Sequence, residues 1–218
     1  MTTTVYLQKA IHPESGLHPC GPYPIEVNKT DIVGESGYVE KLRKEFGERQ
    51  LRGTAITIRN SKDGELSEER ISVEERFRSI LKSIPYNTCI EIGTWRGSST
   101  PLLAHYAKKS VVAIDIYNYP EPHMVWPYFG VKDKIKHVIC KSNEEKANII
   151  RRTNFEFAFL DGLHSYEGVK FDFECVKKCG VVLFHDYEIM DGVTYFVNEL
   201  DPKEVRILEP FAIWIRQK

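Results

Sequence analysis

The chain has 218 residues, 42% of them hydrophobic, with 30 basic side chains against 31 acidic ones. That length and apolar content suit one large domain, or a domain with an extension. The near-zero net charge argues against general binding to nucleic acid or a membrane surface, and no apolar run approaches the ~20 residues that span a bilayer.

The five cysteines, Cys20, Cys89, Cys140, Cys175 and Cys179, are scattered and odd in number. Cys175 and Cys179 have helical spacing, but no second pair completes a metal site. The N-terminus lacks a signal-peptide core. These features suggest a cytoplasmic, reducing location.

Residues 1–30 hold His12-Pro13, His18-Pro19-Cys20-Gly21 and Pro22-Tyr23-Pro24, and read as loop. A short charged helix is expected over 36–50, a small strand over 54–58 and a polar linker over 60–69. Residues 1–70 form an N-terminal extension, with a flexible tail, a lid over a pocket and an oligomer arm all open as readings.

From residue 71 to 218 the order sharpens. Ser72 and Glu75 fit a capping box, and Val73, Phe77, Ile80, Leu81 and Ile84 draw the apolar stripe of a helix that Pro85 stops. Strands then alternate with helices: strand 88–92, helix 99–108, strand 111–116, strand 135–140, helix 143–152, strand 155–160, helix 166–178, strand 180–184 and a helix near 191–200. Two strands close the chain, 205–208 and 211–215, separated only by Glu209-Pro210. Alternation implies a parallel sheet with crossover helices, and the short last connection implies an antiparallel pair. The fold class is therefore α/β, a Rossmann-like doubly wound sheet of seven mostly parallel strands ending in an antiparallel hairpin.

Chemistry gathers where strands end. Residues 89–100, Cys-Ile-Glu-Ile-Gly-Thr-Trp-Arg-Gly-Ser-Ser-Thr, run from a buried strand through a glycine-bearing turn into a helix start. Gly93 and Gly97 let backbone approach a ligand closely. The next strand ends at Asp115, where an acid can accept hydrogen bonds from both hydroxyls of a ribose. A nucleoside-bearing cofactor follows. In the stretch Tyr117 to Gly130, prolines at 120, 122 and 127 oppose a continuous helix; its His123, Trp126, Tyr128 and Phe129 suit a pocket wall or a packed surface loop.

With these motifs the chain resembles the class I S-adenosylmethionine-dependent methyltransferases, most nearly the branch of small-molecule and sugar O-methyltransferases with cephalosporin-hydroxylase-like relatives. The resemblance covers residues 72–218. It is carried by Glu-Ile-Gly-Thr-Trp-Arg-Gly-Ser-Ser-Thr (91–100), Ala-Ile-Asp-Ile (113–116), Phe-Leu-Asp-Gly-Leu-His-Ser-Tyr-Glu-Gly-Val (159–169) and Val-Leu-Phe-His-Asp-Tyr (182–187). It implies that Glu91, Gly93 and Gly97 make methionine-side and turn contacts, that Asp115 is the ribose acid, and that Ser142 and Asn143 meet the adenine. The turn departs from the dinucleotide pattern Gly-x-Gly-x-x-Gly. A sulfonium cofactor has no pyrophosphate to seat on the helix N-terminus, so it needs no such pattern.

Asp161 ends one strand and His185-Asp186 end its neighbour, so these side chains can converge above the sheet, with Asp161 also beside the cofactor's methyl group. In the metal-assisted relatives acids at these positions hold magnesium, which lowers the pKa of a substrate oxygen. His185 stands where an acid would lead the pair, and imidazole favours other divalent ions such as manganese. Asp161, His185 and Asp186 are thus a candidate metal set, with His185 as a base in a metal-free site the open alternative. His164 matches the position of a lysine base in the relatives resembling catechol O-methyltransferase.

The expected activity is methyl transfer from S-adenosylmethionine to an oxygen of a small molecule such as a sugar, polyol or phenol, assisted by magnesium or manganese. The rivals are a metal-dependent hydrolase or hydroxylase-like protein on the same fold, and a non-catalytic module that binds a nucleoside cofactor. No nucleic-acid or membrane partner is expected; a homo-oligomer is open.

Overall fold

The computed structural model describes residues 2–7, 23–28, 68–97, 99–119 and 121–217. The helix expected at 36–50 and the strand expected at 54–58 lie outside the described residues. Strands β1 (Thr2–Leu7) and β2 (Tyr23–Asn28) pair antiparallel, Thr2 opposite Asn28 and Leu7 opposite Tyr23. This corrects the reading of residues 1–30 as loop throughout. The β-branched run Thr2-Thr3-Thr4-Val5 lies outside the proline and glycine cluster and favours extended backbone.

Helix α1 (Glu68–Ser83) begins a turn earlier than the capping-box reading, so Ser72 lies inside it rather than at its start. The chain then lays down β3 (Thr88–Ile92), α2 (Thr100–Tyr106), β4 (Ser110–Asp115), α3 (Pro122–Tyr128), β5 (Ile135–Ile139), α4 (Asn143–Arg152), β6 (Phe157–Leu160), α5 (Tyr166–Val176), β7 (Val181–Phe184), α6 (Asp191–Glu199), β8 (Val205–Leu208) and β9 (Phe211–Ile215). The α3 helix corrects the expectation of irregular chain over 117–130. Pro122 sits in its first turn, where its missing N–H costs nothing, and Pro127 falls near its end.

The seven strands order as β5-β4-β3-β6-β7-β9-β8, parallel from β5 to β7 and antiparallel at β7–β9 and β9–β8. Strand alternation divides the core. Cys89, Val111, Ala113, Phe157 and Phe159 face α1, α2 and α3, with Phe77 stacked on Phe211 at 5.3 Å. Ile90, Ile92, Val112, Ile114, Ala158 and Leu160 face the other way, against Ile150, Phe173, Val193 and Phe196. Progress along the sheet reverses between β3 and β6. A ligand crevice opens at such a reversal, beyond the carboxyl ends of the strands. Among the described residues no helix is long and apolar enough to cross a membrane.

Candidate active site

At the reversal, backbone bonds tie three strand ends together. Gly93 N–H donates to the Ile114 carbonyl at 2.9 Å, and Asp161 N–H donates to the Ile92 carbonyl at 2.8 Å. Gly93 adopts φ +90°, and a β-carbon there would lie 1.9 Å from the Asp161 carbonyl oxygen. Only glycine permits that approach.

Asp115 closes the turn that follows. Its Oδ2 accepts the Thr94 amide at 2.9 Å and the Trp95 amide at 2.6 Å, while Oδ1 accepts the Tyr117 amide at 3.0 Å. Trp95 is held at φ +44°, a left-handed conformation uncommon for an aromatic residue. A carboxylate offers about four acceptor positions, and three are in use.

Glu91 is wholly buried on the face covered by α1 and α2. It accepts the Ser99 hydroxyl at 2.5 Å and the Thr100 hydroxyl at 2.6 Å. Burial lifts its carboxyl to about 8, which the two hydroxyl donors offset only in part. Its partners in this structure are the start of α2. The glycine at 97 makes room for α3: a β-carbon there would come 2.6 Å from Trp126 Nε1, and that N–H donates to the Gly97 carbonyl at 3.0 Å. A buried pair backs this contact, Arg96 Nε lying 3.5 Å from Glu121 Oε1. The sequence reading missed this pair, because only the tertiary fold brings α3 onto the turn. Ser142 caps α4 by accepting the Glu145 amide at 3.2 Å, and Asn143 begins the helix, exposed. Both follow Cys140, whose N–H reaches the Asp115 carbonyl at 2.8 Å, so they share the rim with Asp115.

The other half of the rim is an acid–imidazole cluster. His185 Nδ1 lies 3.2 Å from Asp161 Oδ1 and 2.9 Å from Asp186 Oδ1. His164 Nε2 lies 3.4 Å from Asp161 Oδ1 and 3.2 Å from Asp186 Oδ2. Asp186 sits at φ +61°, a turn that swings its carboxylate back over the sheet edge. Burial alone would push both imidazoles down, but the Asp161 and Asp186 carboxylates override it and hold both above their ordinary range. Burial would likewise raise Asp161, yet the charge on His185 holds its carboxyl far below the usual range.

Asp161, His185 and Asp186 each offer one ligand atom, all within 4.8 Å of one another. Adjacent ligands of an octahedral ion with ~2.1 Å bonds sit about 3 Å apart, close to the 2.9 and 3.2 Å separations of His185 Nδ1 from the two carboxylates. The donor set therefore fits a divalent cation. Asp172 is buried and paired with Lys146 of α4.

Residues 90–187 match a family described as a methyltransferase domain. That stretch is similar to a methyltransferase domain. Solved structures agree at the level of fold. An O-methyltransferase from Bacillus cereus in complex with SAH is 13% identical with a TM-score of 0.57, over 86% of this chain and 94% of that one. Cofactor-bound Rv0187 from MTB is 16% identical with a TM-score of 0.53, over 69% and 81%. An rRNA methylase from Streptococcus thermophilus is 16% identical with a TM-score of 0.50, over 65% and 95%. No curated protein matches the chain. The matched stretch, Ile90 to Tyr187, spans both the glycine turn and the acid–imidazole cluster.

Proposed function

We propose that the chain is an S-adenosylmethionine-dependent methyltransferase acting on a hydroxyl oxygen of a small molecule. The observation that carries this reading is the backbone contact of Gly93 with Asp161. It sets the turn suited to a nucleoside cofactor directly against a cluster able to manage a proton.

S-adenosylmethionine would supply an electrophilic methyl group on a sulfonium. Asp115, Gly93 and the rim residues Ser142 and Asn143 would position it, with Glu91 and Gly97 acting through the turn they support. His164, part-exposed between two acids, would accept the hydroxyl proton at Nε2. It can do so only when neutral, and the two carboxylates favour its charged form. Neutralised by a divalent cation, Asp161 and Asp186 would release that hold and return the imidazole toward its reference pKa of ~6.5. Asp161, His185 and Asp186 would be the ligands, and magnesium or manganese bound there would polarise the acceptor oxygen. Orientation supplies the remainder, since a displacement between two held reactants becomes effectively unimolecular.

Calorimetric titration with S-adenosylhomocysteine tests the reading. Saturable one-to-one binding, lost in Asp115→Ala, is the expected result; no heat of binding to the native chain would end it.

A further inference from the structure

Nine large hydrophobic side chains are exposed among the described residues, and five of them lie just past the carboxyl ends of β4, β6 and β7: Ile116, Tyr117, Leu163, Ile189 and Met190. Three of those flank the acid–imidazole cluster directly. Leu163, 49% exposed, stands between Asp161 and His164, while Ile189 and Met190, 61% and 40% exposed, follow Asp186. Large apolar groups left in water at a cleft rim mark a binding surface more often than scattered ones do.

These side chains rest on well-tied backbone. Leu163 lies over Gly168, where any β-carbon would come within 2.9 Å of it. The amides of Ile189 and Met190 both donate to the Asp186 carbonyl, at 3.1 and 2.9 Å. Gly192 brings the start of α6 against the backbone of the His164 loop, leaving no room for a β-carbon, which would lie 2.3 Å from the His164 carbonyl oxygen. Both apolar flanks are therefore fixed relative to His164.

What the loops lack is equally specific. Residues 116–119, 161–165 and 185–190 contain no lysine or arginine, and Arg96 is buried against Glu121. No lysine or arginine there would receive a phosphate or carboxylate, and the imidazoles of His164 and His185 already face the Asp161 and Asp186 carboxylates. Three of the loops' neutral polar side chains are engaged: Asn118 with His123 at 3.2 Å, Ser165 capping α5, and Tyr187 donating to Asn198 at 2.9 Å. With the acids and imidazoles sharing one another, a polyol seated there would exchange many water contacts for few protein ones.

We infer that the acceptor is a neutral molecule with an apolar, aryl-sized body, seated on Leu163, Ile189 and Met190 with its hydroxyl toward His164. This rests on the methyltransferase reading and narrows it, setting aside sugars, polyols and RNA. A flat ring suits this rim, since Met190 offers a polarizable thioether and Leu163 and Ile189 offer branched faces.

The test uses the full chain loaded with S-adenosylhomocysteine and three probes: 2,3-dihydroxynaphthalene, its anionic counterpart 3,4-dihydroxybenzoate, and myo-inositol. Saturable binding of the naphthalene diol is expected at least tenfold tighter than either other probe. The Leu163→Ser/Ile189→Ser/Met190→Ser variant should weaken it tenfold or more while S-adenosylhomocysteine affinity stays within twofold. Single serine variants, each weakening the diol severalfold, serve if the triple variant does not fold. Equal or tighter binding of inositol or the benzoate, absent binding of the diol, or diol affinity untouched by the serine changes would each overturn the inference. Failure to bind S-adenosylhomocysteine would instead strike the methyltransferase reading itself.

Discussion

Asp115 accepts the Trp95 amide at 2.6 Å, so the acid expected to meet a ribose also fastens the turn below it. One carboxylate thus joins two tasks. Asp115→Ala should cost about 1–3 kcal/mol of stability, the penalty of orphaned amides, and should also abolish S-adenosylhomocysteine binding. Asp115→Asn keeps one acceptor oxygen and should lose less of both. Denaturant titration and calorimetry on the two variants check this; a fully stable, fully binding Asp115→Ala would remove the acid from the site.

Gly93→Ala should be among the most damaging small substitutions. It places a methyl group against the Asp161 carbonyl in a backbone conformation that L-residues avoid. A loss on the order of 2–4 kcal/mol is expected, with cofactor affinity falling alongside. A thermal melt within a degree of the native protein would contradict the close approach.

Glu91→Gln probes a buried acid. The folded carboxyl titrates at about 8, above its unfolded value of ~4.3. The folded state therefore holds the extra proton between those values, and stability from this group is present at low pH and declines as pH rises toward 8. Glutamine carries no such titration. The melting temperature of Glu91→Gln minus that of the native chain should climb from pH 5 to pH 8 and then flatten; a difference independent of pH would refute the assignment.

Asp161→Asn probes the opposite signs. Asp161 is held low and His185 high by each other. The acid's contribution is present above its unfolded value of ~3.9 and lost as pH falls; the imidazole's is present below ~6.5 and lost as pH rises through its folded value. The stability gap between native chain and variant should be widest between about pH 4 and 6.5. Melts across pH 3–10 measure it, and a gap widest at pH 9 would mean that His185 is not charged here.

His164→Gln separates the proton from the cofactor. A positioned general base contributes roughly 10²–10⁴-fold in rate, so kcat should fall by that order while S-adenosylhomocysteine affinity holds. Adding EDTA to the native enzyme should likewise depress turnover without displacing S-adenosylhomocysteine. Undiminished turnover in the variant would leave the proton to His185 or to water.

Much of the architecture was legible before any coordinates. The succession of elements from β3 to β9 needs only apolar strands, helices between them, and a closing pair too near for a crossover. Where local reading failed, the cause was local too. Prolines at 122 and 127 suggested irregular chain, yet Pro122 falls in the first turn of a helix, where its missing N–H costs nothing, and Pro127 comes one residue before that helix ends. Residues 1–30 were judged by their Pro-Gly centre, and the β-branched run beside it was overlooked.

Residue order alone determined that Gly93, Asp115, Asp161, His185 and Asp186 stand at strand ends, because hydrophobic periodicity says where a strand stops. Their pairwise chemistry was settled only in three dimensions. Nothing in the spacing says that Asp115 would bind the Trp95 amide, that Trp126 would fill the space beside Gly97, or that His164 would lie between Asp161 and Asp186. Periodicity is a property of neighbouring residues, whereas a carboxylate takes whichever donors the packed sheet and helices bring within three ångströms.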